Sequence, residues 1–130
     1  SGENIAAVAV EAVLVQHPGI AACGVAPVPD EIRGDEVMAC VVLSDDVKAG
    51  SAAEQEVFAQ DVMRFCLERL AYFKAPGYLA FVDKLPLTAT QKVQRGELKK
   101  TAVACAEQAL GQSGPARGSI DLRELKKRNG

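Results

Sequence analysis

At 130 residues the chain has room for one globular domain with a sizeable core, and it is too short for two. Hydrophobic residues at 48% and charged residues at 25% are ordinary for a folded domain and favour neither disorder nor a coiled coil, while a net charge of −2 argues against a dedicated nucleic-acid partner. No apolar run approaches the roughly 18 residues of a membrane span, and the N-terminus carries no basic, apolar and cleavage-site succession, so the chain is expected to be cytoplasmic.

In chain order, the opening Ser1-Gly2-Glu3-Asn4-Ile5 lacks an initiator methionine and reads as a piece of something longer, with glycine suited to a loop. From Ala6 to Gln16 the residues Val10, Val13, Leu14 and His17 follow helical spacing, and Pro18-Gly19 is a stop signal. Ile20 to Pro27 and Val37 to Leu43 predict two antiparallel strands, joined by the turn-rich stretch from Val28 to Glu36. Ser51 followed by Glu54 has the form of a capping box, and Phe58, Val62, Phe65, Cys66 and Leu70 then mark one apolar face of a helix over 51–70.

Pro76-Gly77 forces a turn, Tyr78 to Asp83 alternates like a strand, and Gly96 to about Gln108 is helical by composition. Gly111 to Gly118 is a Gly/Ser/Pro break, after which Ile120 to Lys127 reads as a short basic helix or a tail. The order helix, two strands, helix, strand, helix predicts an α+β domain over residues 1–110, with helices packed on a small mixed or antiparallel sheet, and a linker and basic C-terminal tail over 111–130.

Cys23, Cys40, Cys66 and Cys105 lie far apart in apolar surroundings, and His17 is the one histidine, so the usual zinc spacings are excluded and buried free thiols are expected. His17 itself reads as a packing residue at a helix end. There is neither a Gly-rich phosphate loop nor a Ser/His/acid set.

The stretch that remains is Pro86-Leu87-Thr88-Ala89-Thr90-Gln91-Lys92-Val93-Gln94-Arg95, a polar loop between strand and helix. Lys84, Lys92, Arg95, Lys99 and Lys100 against Asp83 and Glu97 make it a local positive patch suited to phosphate or carboxylate. One positioned cation in a water-poor site can be worth roughly 3 to 4 kcal/mol to a transition state that gathers charge. By pattern alone a solvated surface lysine is the commoner reading.

That stretch resembles the C-terminal lysine motif of the adenylate-forming enzymes, the superfamily of acyl-CoA synthetases, luciferases and peptide-synthetase adenylation domains. Gly2-Glu3-Asn4, Val10-Glu11, His17-Pro18, Val28-Pro29-Asp30 with Gly34, and Leu70 with Lys74-Ala75-Pro76 resemble further landmarks of that superfamily in the same order. The resemblance implies a mobile C-terminal domain of an ATP-dependent acyl-CoA synthetase, whose N-terminal adenylation domain holds the nucleotide and the small-molecule acyl substrate.

It further implies that Lys92 is catalytic in forming the acyl-adenylate, and that Gly2, Glu3 and Asn4 face the pantetheine tunnel when CoA attacks. ATP and CoA would be substrates, with Mg2+ in the full-length enzyme but not bound by this domain. Lys92 would also be a target for a lysine acetyltransferase. Gln91 stands where the family usually has glycine. Two other readings stay open, the C-terminal part of a peptide-synthetase-type adenylation domain and a non-catalytic module for a phosphorylated partner.

Overall fold

The computed structural model describes residues 2–31, 34–47, 49–110 and 119–128, with side chains described from Ala6 onward and not for residues 108–110. In chain order the elements are α1 (Gly2–Leu14), β1 (Ile20–Asp30), β2 (Gly34–Leu43), α2 (Ala52–Leu67), a 3-10 turn (Tyr72–Lys74), β3 (Tyr78–Phe81), α3 (Arg95–Leu110), β4 (Ser119–Asp121) and α4 (Arg123–Arg128). The strands form one mixed sheet in the order β1-β2-β3-β4, antiparallel at both outer pairs and parallel between β2 and β3. A parallel pair needs a long crossover, and α2 supplies it.

Side chains of successive strand residues point to opposite faces, and this divides the core in two. Cys23, Val25, Ala39, Val41, Leu79 and Ile120 turn toward α1 and α2. Ala26, Val28, Met38, Cys40, Tyr78 and Ala80 turn toward Leu98, Ala102 and Ala106 of α3. The sheet is therefore covered on both sides, and its strands are apolar on both faces.

Local chemistry accounts for the start of α2 and the end of α1. Ser51 caps α2 in a complete capping box, its Oγ accepting the Glu54 N–H at 3.1 Å while Glu54 Oε1 accepts the Ser51 N–H at 3.0 Å. His17 is buried after α1, where Nδ1 accepts the Gly19 N–H at 2.9 Å, so Nε2 carries the proton shared with Asp61 at 2.7 Å. The rings of Phe58 and Phe65 lie edge-on to it, which is the packing role expected of this residue.

Three expectations change. Gly2-Glu3-Asn4 is not a loop but the first turn of α1, since nothing in Glu-Asn-Ile-Ala-Ala interrupts a helix and Glu3 suits its positive end. The connection between β1 and β2 is a tight hairpin, with Val28 opposite Glu36 and Pro29 opposite Asp35; Pro27 and Pro29 are tolerated because β1 is an edge strand.

The third change concerns residues 119–128, where the sequence left open a short basic helix or a tail: the short basic helix is present, and it is preceded by a strand that was not expected. These residues add β4 to the sheet and α4 beyond it, with Leu79 opposite Ile120. Arg123 bonds Asp121 and reaches Asp30 at the end of β1 at 3.1 Å, and Lys126 is buried. The expected linker, 111–118, lies outside the described residues.

Candidate functional site

After β3 the chain turns back on itself in a short hairpin from Pro86 to Gln94. Leu87 and Val93 form an isolated antiparallel bridge, and the Gln94 N–H donates to the Pro86 carbonyl at 2.8 Å. Nearer the tip the Thr88 N–H donates to the Lys92 carbonyl at 2.7 Å and the Gln91 N–H to the Thr88 carbonyl at 2.9 Å. The Thr88 hydroxyl oxygen accepts the Lys92 N–H at 3.1 Å and lies 3.1 Å from the Thr90 hydroxyl. The Thr88 side chain thus satisfies a backbone group that a solvent-exposed loop would otherwise leave to water, and Thr90 adjoins its hydroxyl.

Closing this tip demands a left-handed residue, and Gln91 has φ 67°. It is the one non-glycine residue with positive φ among the described residues. A glycine would meet no Cβ conflict in this conformation. Gln91 accepts the conformation, so the bulk it adds does not open the turn.

Lys92 follows directly, exposed, with no hydrogen bond or ion pair to its ammonium among the described residues. Its backbone is held at both ends while its side chain is free to reach outward. The positive patch is smaller than the sequence suggests. Lys100 lies 3.3 Å from Glu97, and Arg95 is committed to Glu11. Lys84, Lys92 and Lys99 stay exposed.

Arg95, the first residue of α3, sends its guanidinium across to α1. Its Nη1 and Nη2 donate to the two oxygens of Glu11 at 2.5 and 2.8 Å, and Glu11 Oε2 also accepts the Val25 N–H at 2.7 Å. The hydrogen bonds that Arg95 donates to Glu11 hold its charge more firmly than usual, against the opposing effect of burial. Sequence reasoning placed Arg95 in the patch and Glu11 in a family landmark without joining them, because 84 residues separate the two.

Gly2, Glu3 and Asn4 stand at the start of α1, remote in sequence from the hairpin, and their side chains lie outside the described residues. Burial pushes the thiols of Cys23, Cys40 and Cys66 up to about 12, so none of them is a ready nucleophile. Among the described residues no group of three or more His, Cys, Asp or Glu side chains could hold a metal ion, and no helix is long and apolar enough to cross a membrane. The chemistry on offer is therefore one presented cation on a braced loop.

Residues 9–92 match the family of the AMP-binding enzyme C-terminal domain, ending on Lys92. The chain belongs to this family. An AMP-binding enzyme C-terminal domain of this kind is similar to part of a mitochondrial acyl-coenzyme A synthetase of Mus musculus, 37% identical over 100 residues that make up 77% of this chain and 17% of that protein.

Among solved structures, a benzoate CoA ligase from Burkholderia xenovorans is 40% identical with a TM-score of 0.61, covering 72% of this chain and 18% of that one. The o-succinylbenzoate CoA synthetase of Bacillus subtilis, solved in complex with its acyl-adenylate intermediate, is 34% identical with a TM-score of 0.58, covering 72% of this chain and 17% of that one. The AMP-binding enzyme C-terminal domain described here thus spans less than a fifth of each of these relatives.

Proposed function

We propose that this chain is the C-terminal domain of an ATP-dependent acyl-CoA synthetase and that Lys92 serves its adenylation step. The observation that carries the reading is the placement of Lys92, exposed and unpaired at the tip of a bonded hairpin, in a chain of this family. In the first half-reaction a carboxylate oxygen of the acid attacks the α-phosphorus of ATP, a new P–O bond forms, and pyrophosphate leaves. Lys92 transfers no proton. Its ammonium lies between the carboxylate and the α-phosphate and stabilises the charge that gathers there.

In the second half-reaction the CoA sulfur, having lost its proton to solvent, attacks the acyl carbon, a C–S bond forms, and AMP leaves. Gly2, Glu3 and Asn4 would border the path of the thiol, with the N-terminal turn of α1 presented to the other domain in place of a loop. Mg2+ would be held by the full-length enzyme outside this domain. The CoA ligases among the relatives favour this reading over a peptide-synthetase parent. Reduced, mostly buried cysteines agree with a cytoplasmic enzyme. An acetyltransferase that modified Lys92 would remove the charge the step uses.

The test is Lys92→Ala in the full-length ligase. ATP–pyrophosphate exchange should fall about 100- to 1000-fold, with thioester formation from supplied acyl-adenylate retained. Exchange at the parental rate would overturn the assignment.

A further inference from the structure

We infer that Glu11 and Arg95 are positioning residues for Lys92, and that the ion pair between them sets where the hairpin presents its ammonium. This rests on the reading of Lys92 just proposed. The base of the hairpin is held by the Leu87 to Val93 bridge and by Val93, which packs half-buried against the core under α3, but the tip from Thr88 to Lys92 has exposed or half-buried side chains and, among the described residues, bonds only within the hairpin. Without a further tie the tip could swing about that base between the end of β3 and the start of α3.

Arg95 supplies that tie three residues beyond Lys92. Its planar fork meets both Glu11 oxygens, and Nη1 also reaches the Val25 carbonyl at 3.3 Å. Because Glu11 Oε2 is at the same time fixed by the Val25 N–H, the carboxylate has one orientation and the guanidinium one seat. Three parts of the fold meet there: α1, β1 and the exit of the hairpin. The side chains are 14% and 29% exposed, which shields the pair from most ionic screening.

The two ends of the tie differ in how they are held. α1 is secured by Ala7, Val10 and Leu14 in the core and does not need Glu11 to stay in place. The hairpin has no comparable anchor at its tip. Loss of the pair therefore releases Lys92 rather than α1, and a displacement of about 1 Å at a charged group can cost on the order of 100-fold in rate. Lysine at residue 95 could not substitute, since an ammonium cannot occupy the bidentate fork.

The experiment compares Arg95→Lys, Glu11→Gln and Arg95→Ala with Lys92→Ala in the full-length ligase. Arg95→Lys and Glu11→Gln should lower kcat for ATP–pyrophosphate exchange about 10- to 100-fold with KM for ATP little changed, while thioester formation from supplied acyl-adenylate stays within about twofold. Added guanidinium should restore part of the exchange rate to Arg95→Ala and none to Lys92→Ala. Thermal unfolding midpoints show which variants remain folded, and the conservative pair decides if Arg95→Ala does not.

Normal exchange in both conservative variants, or an equal fall in both half-reactions, would overturn the positioning role while leaving a defective Lys92→Ala to support the catalytic one. Undiminished exchange in Lys92→Ala would overturn both.

Discussion

The ammonium of Lys126 lies 2.7 Å from Oε2 of Glu36, with the two side chains 1% and 3% exposed, so an ion pair sealed from water joins the last helix to the second strand. Lys126 also donates to the Ala75 carbonyl at 2.7 Å, and Glu36 accepts the Val37 N–H at 2.9 Å. Gly77 makes room for this arrangement, because a Cβ there would run into the Glu36 side chain. Its N–H meets the Val37 carbonyl at 2.8 Å and its carbonyl accepts the Leu122 N–H at 2.8 Å, which seats α4 beside the 3-10 turn.

Charges this deeply buried are costly to separate. Lys126→Ala should destabilise the chain by about 3 to 5 kcal/mol, because Glu36 would be left charged and unpaired, whereas Glu36→Gln combined with Lys126→Met should lose considerably less. Urea unfolding of the 130-residue chain measures both. A loss below about 1 kcal/mol for Lys126→Ala, the range of exposed pairs, would show that water reaches the site.

At the hairpin tip, residue 91 is tested by its backbone. Gln91→Gly removes a left-handed cost of roughly 1 to 2 kcal/mol but adds unfolded-chain entropy of about 0.4 to 1 kcal/mol, so stability should rise by no more than about 1.6 kcal/mol. Gln91→Val places a β-branched residue at φ 67° and should both destabilise the chain and slow pyrophosphate exchange in the full-length enzyme. Unchanged exchange with valine would mean that the tip tolerates another turn.

The α2 cap gives a signed dependence on pH. The Ser51 N–H, and then the Ser51 hydroxyl, hold the Glu54 carboxyl below its ordinary value of 4.5. A carboxylate depressed in the folded state contributes stability above its unfolded value, and that contribution disappears as pH falls through the lower folded value. The stability difference between the parent and Glu54→Gln should therefore be present at neutral pH and shrink below pH 4.5, as followed by chemical denaturation across that range. A difference that grew in acid would contradict the cap geometry.

Much of this was legible along the chain because it rests on neighbours. The capping box needs only Ser51 and Glu54, and the apolar spacing from Phe58 to Cys66 follows from helical period. The lysine segment was legible as a polar loop between strand and helix, while its closure into a hairpin by Thr88 with the turn on Gln91 is seen only in the structure. The start of α1 was misread because glycine permits both a loop and a helix end. Strand β4 was missed because three residues carry no period of their own, and its pairing with β3 reaches across the Gly/Ser/Pro break.

Composition and order by themselves predicted one α+β domain with a polar lysine loop between strand and helix, and only the resemblance to the adenylate-forming enzymes set Lys92 apart from an ordinary surface lysine. The tertiary structure decided which charges remain available to a partner. Arg95 is bound to Glu11 and Lys126 to Glu36, pairs 84 and 90 residues apart, and no local pattern can signal a contact whose energy depends on which distant strand or helix excludes water from it. Lys92, held at the tip of its hairpin beyond the reach of any such partner among the described residues, is the lysine of that motif left with its charge to present.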